Sequence, residues 1–407
     1  MKRRQSLFNF STSSGVLVIA IFLCLVGSLL AIRYSPAVPA YGADFLRKIV
    51  GDRLVVVLET ALFKLQDGVR NIEYRIGMAP AVSPWNVPAA TTPVPTFTHP
   101  TKVAQKPACT ITPTLPRTGA PLLPSATPLP VWMPPPVTPL GLLQGVAVWE
   151  PFIQDTQGRV VAYRTFVQPD AGRPYALTGI VAFDLENVRL HFEVGFADPY
   201  APGIAKTRTG KIPVQDFVPG RLLAAFNGGF KYEHGAFGAM AGGYVTVPPR
   251  RGLGTLAIYR DGHIRMGVWG EDITASPDMV AFRQNGPLVI QNGALNKAVN
   301  DPTQWGYTIS GGTVTWRSGV AISQDGKTFY YFAGQYTDIA SLSKAMQAVK
   351  PQMAMQLDIN NFWVHFTAFI DDNNSFAPEA LFPKEMASNL ERFLNPYPRD
   401  FFYVTMP

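Results

Sequence analysis

From Gly145 onward, short runs of alternating apolar and polar residues are cut by tight-turn pairs. Arg260-Asp261-Gly262-His263 and Gln324-Asp325-Gly326-Lys327 each interrupt such a run with Asp-Gly. That pattern predicts two β-hairpins and makes Asp261 and Asp325 turn residues. Asn292-Gly293 and Gly311-Gly312 predict two further turns. One helical period stands among these strands: Ile339, Leu342, Met346 and Val349 form a stripe, Thr337 or Asp338 supplies the cap, and Pro351 ends it. Beyond it, Met353, Met355 and Leu357 point to one side of a strand while Ala354, Gln356 and Asp358 point to the other. Strands before and after a helix predict an α+β fold over residues 141–407, a mixed, mainly antiparallel sheet with packed helices.

The first third of the chain follows other patterns. Residues 1–15 are basic, with Lys2, Arg3 and Arg4, and an unbroken apolar run extends from Val16 to Ile32. About 17 apolar residues suffice to span hydrocarbon as a helix, and the preceding basic residues place the amino terminus in the cytoplasm. The expectation is a single-pass signal anchor over 16–32 that holds the C-terminal domain outside the cytoplasm. Ala37-Val38-Pro39-Ala40 is the cleavage site that the alternative, a removed signal peptide, would use. Over 44–76 the pattern turns amphipathic, with Ile49, Leu54, Leu58, Ala61, Leu65, Val69 and Ile72 at intervals of three to five. Such a helix can lie on the bilayer, pair with its copy, or act as a stalk. Residues 79–140 hold nearly half of the 37 prolines, mixed with Thr, Ala and Val. That composition predicts an extended linker.

Charge and cysteine content narrow the function. Of the 407 residues, the first 150 carry 13 Lys+Arg against 6 Asp+Glu, and the remaining 22 of each sign cancel, so the net +7 sits ahead of the strand-rich region. A nucleic-acid-binding domain would need that charge on its folded part, so no nucleic-acid partner is expected. The two cysteines, Cys24 and Cys109, fall in the apolar run and the Pro-rich stretch, which fits an exported bacterial protein without disulfides. No His-Glu-x-x-His, paired cysteines, P-loop, Gly-x-Ser-x-Gly or dinucleotide fingerprint occurs, so neither metal nor cofactor is expected.

Chemistry concentrates at three places. The apolar strand Leu223-Ala-Ala-Phe runs into Asn227-Gly228-Gly229-Phe230, a turn whose successive N–H groups can cradle an anion. Downstream come Trp316-Arg317-Ser318-Gly319 and Gln356-Leu357-Asp358, with Gly286-Pro287-Leu288-Val289 between. In that order these motifs resemble the phosphodiester glycosidase family, over roughly Gly145 to Pro407. The resemblance implies a hydrolase acting on a phosphorylated glycan or glycosyl phosphodiester. Arg317 would then set a planar fork against phosphate oxygens, Asp358 would transfer a proton or attack the sugar, and Asn227 with Gly228, Gly229 and Phe230 would form the cradle.

One element departs from the family. Where it carries Gly-Gly-Gly-Ser after Leu-Asp, this chain has Ile359-Asn360-Asn361-Phe362-Trp363. Asn360, Asn361 and Trp363 then become candidates for contacting a different sugar, with Glu233 and His234 lining the same cleft. His365 follows on the Trp363 side of an extended strand. Loss of catalysis on the same scaffold, leaving a non-catalytic glycan-binding surface protein, is the alternative reading.

Overall fold

The computed structural model describes residues 64–65, 67–78, 80–85, 132–306, 313–360 and 362–407. In chain order its strands are β1 (Glu150–Gln154), β2 (Val160–Val167), β3 (Thr178–Asp184), β4 (Arg189–Glu193), β5 (Leu222–Asn227) and β6 (Ala239–Ala241). Next come β7 (Tyr244–Val247), β8 (Gly254–Tyr259), β9 (Ile264–Val268), β10 (Met279–Gln284), β11 (Leu288–Gln291) and β12 (Ala294–Leu295). The last six are β13 (Thr315–Ile322), β14 (Thr328–Thr337), β15 (Met353–Ile359), β16 (Phe366–Asp372), β17 (Ser375–Ala380) and β18 (Phe401–Thr405). Helix α1 covers residues 67–75 and α2 covers Ile339–Ala348.

These strands form an eight-stranded sheet (β1-β2-β3-β14-β13-β15-β11-β12) and two five-stranded sheets, β7-β6-β10-β8-β9 and β17-β16-β5-β18-β4. Every ladder is antiparallel. Among the described residues the expected α+β class with a mixed sheet is therefore corrected to a mainly β fold, 37% strand and 11% helix, with three antiparallel sheets and two helices. The reason lies around α2. This helix joins β14 to β15, but β13 lies between them and pairs antiparallel with both, so the crossover creates no parallel ladder.

Sheets, rather than helices, cover most of one another's apolar faces. On β14, Phe329, Tyr331 and Ala333 point into the main core, where they meet Phe226 of β5, Phe366 of β16 and Phe402 of β18. Tyr330 and Phe332 point the other way, toward Ile339, Leu342 and Met346 of α2. The period of two along the strand thus feeds two cores. Asp338 caps α2 by accepting from Ser341 N at 2.8 Å. Asp261-Gly262 and Asp325-Gly326 do form hairpin turns, between β8 and β9 and between β13 and β14. Asn292 and Gly293 both take positive φ, as a tight two-residue hairpin requires.

Residues ahead of β1 also touch this body. On α1, Asp67 accepts from Tyr175 Oη at 2.7 Å and pairs with Arg173 at 3.3 Å, while Tyr74 meets Tyr175. Trp85 is buried against Phe166 and Phe382, with the Arg164 guanidinium 4.7 Å above its ring. Trp132 packs on Tyr163, and Thr138 N donates to Ala348 O at the end of α2. The stretch expected as a linker, 79–140, therefore meets strand β2 at Trp85 and again at Trp132. The run Val16–Ile32, the first part of the 44–76 segment, the 311–312 turn and Asn361 lie outside the described residues. Among those described, no helix is long and apolar enough to cross a membrane.

Candidate active site at the Asn-Gly-Gly turn

Strand β5 lies at the centre of its sheet, every residue buried, and ends at Asn227. The Asn227 side chain ties three elements together. Its Oδ1 accepts from Tyr331 Oη at 2.8 Å and from His365 N at 3.3 Å, and its Nδ2 donates to Ser318 Oγ at 2.9 Å. Ser318 Oγ in turn donates to Asp358 O at 2.8 Å, and Asp358 N donates to Gly228 O at 3.1 Å. Asn227 and Asp358, 131 positions apart by their numbers, therefore meet through one hydroxyl. Asn227 acts there as a brace, with its amide committed to protein groups.

The expected anion cradle exists, and the protein fills it. Gly228 N donates to Asp400 O at 3.0 Å, Gly229 N to Asp400 Oδ2 at 2.9 Å, and Phe230 N to Asn285 Oδ1 at 3.2 Å. A Cβ on Gly228 would collide with the Asp400 carboxylate, so glycine is required for this close approach. Asp400 is neutralised by Arg283, whose Nε reaches Oδ2 at 2.7 Å. The other Arg283 donors go to the Gln284, Phe237 and Phe230 carbonyls, and the side chain has no exposure.

Arg317 does not stand ready for phosphate either. It is fully buried on β13, and its donors reach Trp305 O at 2.8 Å, Gly306 O at 2.9 Å, Thr313 O at 2.7 Å and Gln356 Oε1 at 2.9 Å. Burial among these neutral oxygens lowers its pKa to about 10, with Asp338 partly offsetting the shift. No hydrogen bond joins it to Asn227 or Asp358 among the described residues. The expected cation is therefore a structural group.

A different arginine takes that place. Arg399 Nη2 donates to Asp358 Oδ2 at 2.6 Å and to Gly229 O at 2.9 Å, and its guanidinium lies 4.6 Å over the Trp363 ring. Arg399 Nε and Asp400 Oδ1 are both buried with no hydrogen-bond partner among the described residues. Burial pulls the Arg399 pKa down, but Asp358, Asp400 and Asp198 together hold it above the ordinary arginine value. Burial drives the Asp358 carboxyl up to about 6, against the pull of Arg399 and the N–H of Ile359 and with a further push from Asp400.

Asp198, Asp358 and Asp400 thus face two arginines, Arg283 and Arg399. Like charges at close range disfavour full ionisation, and Asp358 is the group placed to hold the extra proton near neutral pH. Asp198 is half-buried and accepts from Tyr232 N at 3.1 Å. Burial raises its pKa, and Arg399 counters that rise. His234 sits at the rim, half-exposed, edge-on to Phe230 and beside the exposed Glu233. Its pKa is lowered by burial, with Glu233 opposing. His365 is buried and neutral by desolvation, bonded to Thr367 Oγ1 at 3.1 Å.

In the loop after Asp358, Asn360 takes a backbone conformation that suits glycine. Asn360 has φ 95, and its Oδ1 accepts from Phe362 N at 3.0 Å. Asparagine visits this region more readily than most residues because its side chain bonds locally. Of the expected site residues, the structure gathers Asn227, Gly228, Gly229, Phe230, Asp358 and Trp363 around Arg399. It leaves Glu233 and His234 at the edge and turns Arg317 inward. Arg283, Asn285, Asp198, Arg399 and Asp400 were missed. Their one sequence signal is polar pairs at strand ends: Arg283-Gln284 closing β10 and Arg399-Asp400 just ahead of β18.

Cavities of about 360 and 660 Å³ lie away from this cluster, one beside Arg208 and Glu193 and the other between Met240, Trp269 and Met279. Neither is lined by Asp358 or Arg399. Among the described residues no three His, Cys, Asp or Glu side chains come together as metal ligands.

No family profile and no curated protein matches the chain. Among solved structures, the catalytic domain of zebrafish N-acetylglucosamine-1-phosphodiester alpha-N-acetylglucosaminidase, auto-inhibited by its pro-peptide, is 14% identical. The match covers 64% of this chain and 89% of that one, at a TM-score of 0.39. A hypothetical protein from Synechocystis is 10% identical over 64% of this chain and 65% of its own length, just under two thirds, at a TM-score of 0.35. Likeness at this level assigns no role to any residue.

Proposed function

We propose that the Arg399–Asp358 cluster is a hydrolytic site for a sugar joined through a phosphodiester, and that it works outside the cytoplasm. The observation that carries the reading is the pairing of a buried carboxyl, its pKa up at about 6, with an arginine that keeps an unpartnered Nε. A carboxyl titrating there can protonate a leaving oxygen near neutral pH. Arg399 supplies the positive charge that a phosphate needs, while its Nη2 stays bound to Asp358. Trp363 and Phe230 supply aromatic faces on which a sugar ring can stack. The ordered motifs Asn227-Gly-Gly-Phe230 and Leu357-Asp358 support the glycosyl phosphodiester as substrate class, and the basic and apolar sequence of residues 1–32 supports the location.

Proton transfer follows from charge balance. An anionic substrate entering beside three aspartates is accepted best when Asp358 is protonated. The same proton then goes to the leaving phosphate oxygen as its bond to the sugar carbon breaks; a water oxygen bonds to that carbon, and the proton it sheds restores the protonated Asp358. The test is sugar release from synthetic glycosyl phosphodiesters by the full chain, wild type against Asp358→Asn and Arg399→Met. Turnover in the wild type and a loss of about 100-fold or more in both variants is expected. Equal turnover in wild type and Asp358→Asn would remove Asp358 from the chemistry.

A second reading, a non-catalytic glycan-binding site, is favoured by one observation. The backbone cradle that would stabilise developing charge already holds Asp400. It predicts binding of phosphorylated glycans that Arg399→Met abolishes, with no turnover by the wild type.

A further inference from the structure

Hydrolysis at Arg399 and Asp358 leaves one task without a residue. Water must lose a proton as its oxygen bonds to the sugar carbon, and at that moment Asp358 is giving its own proton to the leaving oxygen. A second group has to accept the proton from water. Three carboxyls stand by the two arginines, and their settings differ. Asp358 is 5% exposed and is bound by Arg399 Nη2 and Ile359 N. Asp400 is 2% exposed and is bound by Arg283 Nε and Gly229 N. Asp198 is partly open to solvent and takes no arginine hydrogen bond among the described residues.

Backbone contacts fix where Asp198 stands, in the loop after β4. Phe196 N donates to Tyr397 O at 3.1 Å, and Ala197 N and Asp198 N both donate to Pro398 O, at 3.2 and 3.0 Å. A Cβ on Gly195 would come 2.3 Å from that same Pro398 oxygen, so the two segments run in close contact. Asp198 is thereby held beside the residue that precedes Arg399. Its Oδ1 accepts from Tyr232 N at 3.1 Å, on the same turn that presents Phe230. Its Oδ2 has no hydrogen-bond partner among the described residues. One oxygen anchors the carboxylate, and the other is left for water or a ligand.

We propose that Asp198 is the base that activates the attacking water, and that hydrolysis inverts the anomeric carbon. This rests on the hydrolytic reading of the Arg399–Asp358 cluster. The Asp358 proton goes to the phosphate oxygen as the bond from that oxygen to the sugar carbon breaks, and the bonding pair stays on the oxygen. The water oxygen bonds to the carbon from the other face, and Asp198 Oδ2 takes its proton. Asp358 is then ionised and Asp198 protonated, so the charge of the site is unchanged. Passage of that proton through solvent returns both to their starting forms. Two carboxyls with these separate roles give inversion, whereas bonding of the second carboxyl to the sugar gives retention. Arg399 and Asp400 are the strongest charges acting on Asp198 and on Asp358 alike, ahead of either carboxyl's effect on the other. The two therefore flank Arg399 and Asp400, with room for a water. Burial raises the Asp198 pKa, against the pull of Arg399, which strengthens it as a base.

The test uses the full chain and a synthetic glycosyl phosphodiester, with the anomer of the freed sugar read by NMR before it equilibrates. The inverted anomer is expected. Asp198→Asn keeps an oxygen for Tyr232 N and should lower kcat about 100-fold or more with KM little changed. Asp198→Ala admits azide, a nucleophile that needs no base, and should form the glycosyl azide of inverted configuration, which also shows that the variant is folded. Retention, undiminished turnover in Asp198→Asn, or no glycosyl azide from Asp198→Ala overturns the proposal and leaves Asp358 in its role. Turnover kept in Asp198→Asn but lost in His234→Gln gives the base to the rim histidine instead. A wild type that frees no sugar removes the hydrolytic reading itself, and the base with it.

Discussion

Arg317 and Arg399 are both buried arginines beside the end of β15, and their surroundings could hardly differ more. Arg317 is ringed by three backbone carbonyls and one amide oxygen, all neutral, and its pKa is lowered to about 10. Arg399 sits among Asp358, Asp400 and Asp198, its pKa is raised, and its Nε has no partner. A cation whose donors all end on protein oxygens holds the fold. A cation with a donor left over can hold a ligand. Residue type does not separate the two cases, and only the partners do.

The sharpest break of that contrast is to replace each arginine in turn by methionine. Arg317→Met strands the Gly306 and Thr313 carbonyls and the Gln356 amide oxygen without their arginine donor, and leaves Trp305 O with Gln356 Nε2 alone. On the order of 4 kcal/mol of stability should be lost, read from the urea midpoint. Arg399→Met is expected to lose less than half as much, because Asp358 relieves its own burial by taking up a proton, while sugar-releasing activity falls about 100-fold. If Arg317→Met folded with normal stability and lost only activity, the contrast would be reversed.

The chain's own sequence made part of this visible. The Asp-Gly hairpins and the capped helix ending at Pro351 were legible, since each rests on local pattern, whereas a shared place for the Asn227 turn and Asp358 was implied only by the family resemblance. Arg399 and Asp400 were not legible. They reach the Asn-Gly-Gly turn only because β18 pairs with β5 in the register Phe401 to Asn227, a contact between distant strands. The saturation of Arg317 was hidden for another reason: backbone carbonyls are acceptors at every residue and leave no mark in a sequence. The filled cradle was hidden likewise, because a Gly-Gly turn looks the same whether its anion is a ligand or Asp400.

A milder probe of the contrast is pH, since Asp358 is the carboxyl that Arg399 partners. Its folded pKa, about 6, lies above the ordinary aspartate value near 4. The folded state therefore binds the proton more tightly than the unfolded chain does. The stability this contributes is fully present below about pH 4 and is lost as pH rises through about 6. Asp358→Asn should abolish that slope between pH 4 and 6 in denaturant titrations, leaving the rest of the profile in place. Turnover that needs protonated Asp358 should fall above about pH 6. Arg399→Met should move that limb upward, because the group holding the carboxylate charged is gone. A limb that stayed fixed in Arg399→Met would separate Asp358 from Arg399.

The smallest effect sharpens the comparison at the loop that joins the two regions. Asn360 N donates to Trp316 O, next to Arg317, while Asp358 and Trp363 on either side hold Arg399. Its φ of 95 lies where glycine is at ease and a side chain is strained. Asn360→Gly relieves that strain but frees the unfolded chain and removes the bond to Phe362 N, so the stability should change little, by about 1 kcal/mol or less in either direction. Asn360→Ala keeps the strain and loses the bond, and should destabilise by about 1–2 kcal/mol. Asn360 thus takes a backbone conformation that suits glycine, while Ile359, Phe362 and Trp363 bring side chains that a glycine loop lacks. If Asn360→Ala proved neutral and Asn360→Gly lowered the melting temperature sharply, the asparagine side chain, rather than the backbone shape, would be what holds Asp358 and Trp363 around Arg399.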